Sequence, residues 1–230
     1  MVLCFCNNKI IESFNLFNNR INAQCPNCKS LERHRFVQLF FKEYNLKFEK
    51  TFHFAPEKQL VKLFKSISTK YICGDIEHKN IDSFIKIDVT NMSFKNEFDL
   101  IFASHILEHI IDDRKAMKNI YNALVFNGRF ITLVPQKLNL KTTYEDNSII
   151  SEKDRLKHFG QKDHVRYYGL DFSQRLKDSG FYIKVHYVEG NEENINNMFY
   201  DEKNQIANNQ DCINFGFIKN DILYECIKKI

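Results

Sequence analysis

Glycine and proline are scarce: the 230 residues hold seven Gly and three Pro, where average usage would give about 16 and 11. That excludes collagen-like chains, Gly/Ser linkers and Pro-rich disorder. Any turn that requires glycine must draw on those seven. No apolar run reaches the ~18 residues of a membrane-spanning helix. The stretch from Met1 to Asn19 lacks a basic segment followed by an apolar one, so no secretory signal is read there and the expected location is the cytoplasm. Blocks of five or more like charges are also missing. A net charge of +4, from 33 basic and 29 acidic residues, is too small to argue for nucleic acid by itself.

What is present suits one medium folded domain with a small appendage. Hydrophobic residues make up 43%, with 22 Phe and 10 Tyr, enough for a buried core. Four of the seven cysteines, Cys4, Cys6, Cys25 and Cys28, fall in the first 28 residues. In a reducing compartment such clustering favours a metal over disulfides. Two pairs supply four thiolates for tetrahedral Zn2+, which leaves no open position and so a structural role. The first pair, Cys4-x-Cys6, is one residue tighter than the usual knuckle. Buried thiols that never meet a metal are the competing reading.

Past this cluster, Ser30 is read as a helix cap with Glu32 in the first turn. Val37, Phe40, Phe41 and Tyr44 then keep helical spacing over 31–45. The rhythm next alternates strand and helix. Strands are expected at 51–55, 71–73, 84–87, 98–103 and 130–134, a helix opening at Pro56, and another over 110–124 closed by Asn127-Gly128. Residues 136–170 read as irregular and 171–180 as helical. Strands follow at 181–188 and 222–227, with an Asn-rich flap over 189–214. Such alternation predicts an α/β protein with a parallel sheet.

In that architecture ligands bind beyond the carboxyl ends of the strands. The first strand runs into Phe54-Ala55-Pro56-Glu57, and Asp75 ends the second, 20 residues after Ala55. That is the spacing at which a carboxylate accepts hydrogen bonds from a ribose diol. Asp88 ends the third strand, within reach of a base edge; a cap or turn is the competing role for each acid. A buried strand then delivers Ser104 and His105, followed by Glu108 and His109. The order is not the His-Glu-x-x-His of a zinc protease. Finally, Phe159-Gly160-Gln161-Lys162-Asp163-His164-Val165-Arg166 crowds ionisable and aromatic groups into a stretch without periodicity.

Together these residues resemble the class I S-adenosylmethionine-dependent methyltransferases, over about residues 50–188. The likeness is carried by Phe98-Asp99-Leu100-Ile101, by Leu107-Glu108-His109-Ile110, and by the run from Phe130 to Pro135. A bacterial subgroup is similar over most of the chain. It joins a cysteine knuckle to a segment like Ser30-Leu31-Glu32-Arg33-His34-Arg35, and carries Phe-Ala-Pro-Glu and Phe-Gly-Gln-x-Asp-His-Val-Arg segments. The resemblance implies a Rossmann-like seven-stranded sheet over 31–230 with a zinc-knuckle extension at 1–30. It assigns Asp75 to the cofactor ribose, Asp88 and the Val89 backbone to adenine, and Ala55, Pro56 and Glu57 to the methionyl part. Glu57 would pair with the cofactor ammonium, and Ser104 and His105 would flank the sulfonium. Most of the superfamily has a glycine-rich first loop, where this chain has Ala55-Pro56.

Methyl transfer to a hydroxyl is helped by a general base. His109 and His164 are the candidates, with Asp163 orienting one of them. Gln161 and Arg166 are the candidates for holding the acceptor, Arg166 by binding an anionic group. The association of the subgroup with surface-glycan genes points to O-methylation of a sugar, sugar phosphate or glycan precursor. Two alternatives stay open: an RNA methyltransferase gripping its substrate through the knuckle and a patch of Lys29, Arg33, His34 and Arg35, and a catalytically silent scaffold.

Overall fold

The computed structural model describes residues 2–4, 9–18, 20–77, 79–188, 199–201, 204–205 and 222–229. It divides into two compact units: Met1–Phe48 with Pro56–Thr69 and Lys184–Leu223, and Glu49–Ala55 with Lys70–Ile183 and Tyr224–Ile230. No helix of the described residues is long and apolar enough to cross a membrane.

In the first unit the cysteine region forms two small antiparallel hairpins. Val2–Cys4 pairs with Lys9–Ile11, and Asn15–Phe17 with Arg20–Gln24. Strands this short show too little alternation to be read from sequence. Helix α1, Glu32–Glu43, starts one residue later than expected: Leu31 is the cap. The Leu31 N–H is bound by His34 Nδ1 at 2.9 Å, so a histidine takes the place that Glu or Gln fills in a capping box. Helix α2, Lys58–Ile67, is capped at Glu57, which puts Pro56 just outside the helix rather than at its first position. Leu60, Phe64 and Ile67 form its buried face, and Phe64 meets Phe41 of α1 edge-on at 5.4 Å.

The basic patch expected on α1 is not a surface. Arg35 is fully buried, donates to the carbonyls of Ala23 and Ser30, and stacks on Phe14 at 3.8 Å. His34 is buried, and both it and Arg33 bind Glu57. A guanidinium sealed among carbonyls holds the second hairpin to the helix and is not available to a phosphate.

A seven-stranded mixed sheet is built mostly from residues of the second unit. In chain order the strands are β1 Phe48–Phe54, β2 Ser68–Asp75, β3 Phe84–Lys86, β4 Phe98–Ser104, β5 Leu124–Leu133, β6 Phe181–Val188 and β7 Ile222–Lys228. Their spatial order is 3-2-1-4-5-7-6. β1 pairs parallel with β4, β4 with β5 and β2 with β3, while β7 runs antiparallel to β5. β4 is central, and Phe98, Leu100, Ile101 and Phe102 are all fully buried, as a strand covered on both faces requires. Beyond β6, Tyr187 and Val188 pair with Tyr200 and Phe199, and two short strands, Phe199–Asp201 and Asn204–Gln205, extend the sheet to nine. The rest of the expected flap lies outside the described residues.

Helix α3, Asp113–Ala123, is shorter than expected, because a 3-10 turn at Leu107–His109 precedes it and the Asp112 carboxylate caps it through Lys115 N–H at 2.9 Å. β5 begins directly after it, and its irregular register against β4 contains Asn127-Gly128. The stretch 136–170 is less irregular than its composition suggests. It holds helix α4, Glu152–Phe159, and a ribbon pairing Tyr144–Glu145 with Arg166–Tyr167. Ser151 caps α4, and Gly160 closes it at φ 76°. Those end signals are local, but only Phe159 of this helix is buried, so no apolar stripe announces it. Helix α5, Phe172–Asp178, then leads through Gly180, at φ 108°, into β6.

Candidate active site

Strand order reverses between β1 and β4, and a crevice opens at such a point. There the second unit holds a cavity of about 550 Å³, lined among others by Ala55, Asp75, Asp88, Val89, His105, His109 and Asp163. This is the size of a small-molecule site.

The first loop achieves its close approach without glycine. Ala55 sits at φ 43° and donates its N–H to Gly74 O at 2.8 Å. The left-handed conformation costs an L-residue roughly 1–2 kcal/mol. Asp75, at the end of β2, accepts from Ile76 N–H at 2.7 Å and pairs with Lys79 at 2.6 Å. Asp88 accepts from the N–H and hydroxyl of Thr90, which makes it the cap of a 3-10 turn at Val89–Asn91. Asn119 holds the Val89 carbonyl at 2.9 Å. Asp88 thus caps that turn and also lines the cavity.

At the other end, β4 delivers Ser104 and His105. Ser104 is buried with its hydroxyl lacking a hydrogen-bond partner. His105 lies at φ 53°, a left-handed conformation that a non-glycine residue adopts only under constraint. Glu108, on the 3-10 turn, is 1% exposed, and neither carboxylate oxygen makes a hydrogen bond. Around it stand His105, with Nδ1 at 3.3 Å, and His109, with Nε2 at 3.9 Å. His109 Nδ1 faces Asp163 Oδ2 at 3.3 Å. The His164 ring stands edge-on to His109 at 4.7 Å. His164 is buried, and its Nδ1 has no partner. Burial lowers its pKa, with His109 and His105 acting in the same sense against Glu108 and Asp163.

Arg166 does not line this cavity. It is 2% exposed, and its guanidinium binds Glu145 at 2.8 Å and the carbonyls of Leu107, Ile110 and Ile111. Tyr168 adds a bond to Leu107 O and one to Asp113 at 2.7 Å. Arg166 therefore fixes the turn that presents Glu108 and His109. Gln161 is exposed and is not among the lining residues. Glu108, with its buried orphan oxygens, carried no assigned role in the sequence. Its position between two histidines was the available signal, but burial could not be read from it.

In the first unit, Glu57 Oε1 accepts from Arg33 and from His34, the latter at 2.8 Å, and Oε2 has no hydrogen-bond partner. Burial raises the carboxyl's pKa, but the bond and charge from His34 and the charge of Arg33 outweigh it and bring it to about 2. Also in that unit Cys4, Cys25 and Cys28 gather with their sulfurs within 4.8 Å, Cys4 and Cys28 at 3.3 Å. The Ser30 hydroxyl joins them at 3.2 Å from Cys28. Cys6 lies outside the described residues.

Comparison with known proteins agrees with this architecture. Residues 55–132 match the methyltransferase domain family. No curated protein matches the chain. Among solved structures, the YcgJ protein of Bacillus subtilis is 15% identical with a TM-score of 0.55, over 86% of this chain and 99% of that one. The 1,6-didemethyltoxoflavin-N1-methyltransferase of Burkholderia thailandensis, with bound 1,6-didemethyltoxoflavin and S-adenosylhomocysteine, is 11% identical with a TM-score of 0.54, over 86% and 79%. The N-methyltransferase NodS of Bradyrhizobium japonicum, in complex with S-adenosylhomocysteine, is 12% identical with a TM-score of 0.52, over 86% of each. At such identities the likeness establishes the fold. Family match and fold together support an S-adenosylmethionine-dependent methyltransferase.

Proposed function

We propose that the cavity binds S-adenosylmethionine and that the enzyme methylates a hydroxyl of a small neutral acceptor, a sugar or surface-glycan precursor. The observation that carries this reading is that one cavity is lined by the strand-end acids Asp75 and Asp88 and by His105, His109 and Asp163, the histidines standing against the buried Glu108 and His164. When bound, the cofactor supplies a methyl group already activated on a sulfonium, so alignment does most of the catalysis. Asp75 takes the ribose hydroxyls, exchanging Lys79 for them, and Asp88 with the Val89 backbone takes the adenine. Ala55, Ser104 and His105 bracket the reacting end. Pro56 and Glu57 are left out of this assignment, since Glu57 is engaged by Arg33 and His34. His109, oriented by Asp163, and His164 receive the acceptor's proton.

The acceptor class follows from charge. The described lining carries Asp75, Glu77, Asp88 and Asp163, and neither Lys nor Arg. A carboxylate rim repels a polyanion, so RNA is disfavoured, and the commitment of Arg166 to backbone carbonyls disfavours a sugar phosphate or uronate. In the first unit, we assign Zn2+ to Cys4, Cys25 and Cys28, with Cys6 as fourth ligand, in a structural role. Titrating the thiols with a mercurial should release that zinc, and a cysteine cluster free of zinc in folded protein would refute it.

Calorimetry with S-adenosylhomocysteine tests the cofactor reading. Asp75→Ala should weaken binding by about 1–3 kcal/mol, the cost of an unanswered ribose diol. Equal affinity would remove the ribose assignment. Methylation assays across neutral sugars, sugar phosphates, amines and RNA test the acceptor, and turnover of RNA alone would overturn it.

A further inference from the structure

The geometry points to a second metal centre, at the acceptor end of the cavity: we propose that Glu108, His109 and His164 bind a divalent transition-metal ion with a coordination position open to the acceptor hydroxyl. The role in catalysis rests on the cavity reading above, whereas the binding of the metal does not.

Three features carry it. One carboxylate oxygen and one ring nitrogen from each histidine lie within 4.8 Å of one another, so small side-chain rotations bring them onto a common ion. Two imidazoles and a carboxylate are a donor set that suits Zn2+, Fe2+ or Mn2+ and leaves room for an exogenous ligand. Glu108 is 1% exposed with both oxygens lacking hydrogen bonds, and the buried His164 Nδ1 is likewise without a partner. Orphaned polar atoms of this kind are costly, and a cation answers the carboxylate and the ring nitrogen together. His109 turns its Nδ1 to Asp163 at 3.3 Å and so leaves Nε2 toward Glu108. A carboxylate behind the non-ligating nitrogen is the arrangement that orients metal-bound histidines.

The frame is held by hydrogen bonds of the protein alone. Arg166 and Tyr168 pin the Leu107 carbonyl, and Val165 N–H binds Glu108 O at 2.9 Å, which ties the turn to the segment carrying Asp163 and His164. The ion lowers the pKa of a hydroxyl that it binds. With His109 and His164 committed to the ion, the proton passes in their place to His105, which is about one-third exposed at the rim. The acceptor oxygen then forms its bond to the methyl carbon as the carbon–sulfur bond breaks, and that electron pair stays on sulfur as the neutral thioether.

Cobalt(II) is the probe. Full-length protein, stripped with a chelator, is titrated with CoCl2 in the absence of cofactor. The expected spectrum has a visible band of nitrogen- and oxygen-ligated cobalt beside the charge-transfer bands of thiolate-bound cobalt. His164→Ala and His109→Ala should abolish the first and keep the second, and Cys25→Ser with Cys28→Ser should do the reverse. Asp163→Ala should weaken the first by roughly 10–100-fold. Unchanged S-adenosylhomocysteine binding in the histidine variants shows that they are folded. Histidine variants that titrate like the wild type, or a wild type with thiolate-bound cobalt only, would overturn the proposal and leave Glu108 and the histidines as a direct proton relay. Loss of S-adenosylhomocysteine binding with the nitrogen-ligated band intact would instead refute the cofactor reading alone.

Discussion

At one end of the cavity Asp75 and Asp88 are each answered from within their own segment, by Ile76 and Lys79 and by Thr90. At the other end Glu108 is sealed from water with no hydrogen bond, beside a histidine nitrogen in the same condition. At the first end Asp75 is half-buried, Asp88 is exposed and both are satisfied locally, so this end waits for a ligand at little cost and, on the proposed reading, releases a lysine to take it. The second stores unfavourable burial that a scaffold of buried arginine and tyrosine holds in place. Polar groups left unsatisfied in a native protein mark where a ligand, ion or proton is to be received.

The largest expected effect is at the unsatisfied end. Glu108→Gln and His164→Ala should each lower the methyl-transfer rate by roughly 10²–10⁴ and leave S-adenosylhomocysteine affinity unchanged by calorimetry. Glu108→Gln should also raise the thermal midpoint of metal-free protein, because a buried carboxylate that has no hydrogen bond and is faced only by His105 and His109 is replaced by an uncharged amide. A lower midpoint would show that Glu108 is satisfied after all and would erase the contrast.

The scaffold comes next. Arg166→Met removes the side-chain donor of the Ile110 and Ile111 carbonyls, one of the two arginines bound to Glu145 and the partner of buried Asp113 at 3.8 Å, while Tyr168 still holds the Leu107 carbonyl. It should cost about 3–5 kcal/mol in denaturant unfolding, the range for breaking a buried pair. A loss near zero, with a selective rise in acceptor KM, would return Arg166 to the substrate.

Acid should act on the same scaffold. Burial raises the Glu145 pKa, but hydrogen bonds and charges from Arg175 and Arg166 bring it down to about 2 from 4.5. A carboxylate lowered on folding stabilises fully above its unfolded pKa, and that contribution fades as pH falls from about 4.5 to about 2. Thermal melts across that window should decline more steeply for the wild type than for Glu145→Gln. Parallel curves would place the acid sensitivity elsewhere.

The smallest effect belongs to the cofactor end. Ala55→Gly relieves a φ of 43° and should gain about 1 kcal/mol, a midpoint rise of roughly 2–4 °C at this chain length. A fall would mean that the alanine methyl contributes more by packing than its backbone strain costs.

Some of this was legible residue by residue. Phe98 to Ala103 reads as a strand buried on both faces, and Asp75 and Asp88 fall at strand ends, because apolar periodicity and turn chemistry are local. Helix α4 escaped because its ends are well signalled but its single buried residue, Phe159, makes no stripe. The patch of Arg33, His34 and Arg35 was misread for a related reason. A string of basic residues looks the same whether it faces water or, like Arg35, the carbonyls of Ala23 and Ser30.

The sequence by itself determined the alternation of strands and helices, the acids at their ends and the gathering of cysteines near the N-terminus. Each of these depends on neighbours a few positions away. Only the tertiary structure decided that Arg166 braces a turn rather than a substrate, and that Glu108 meets two histidines from its own turn and another from a distant loop. The partners of Arg166 lie 59 and 55 positions away at Leu107 and Ile111. Whether a charge is solvated, paired or stranded is set by which distant groups the fold brings within a few ångströms, and no local pattern of residues encodes that distance.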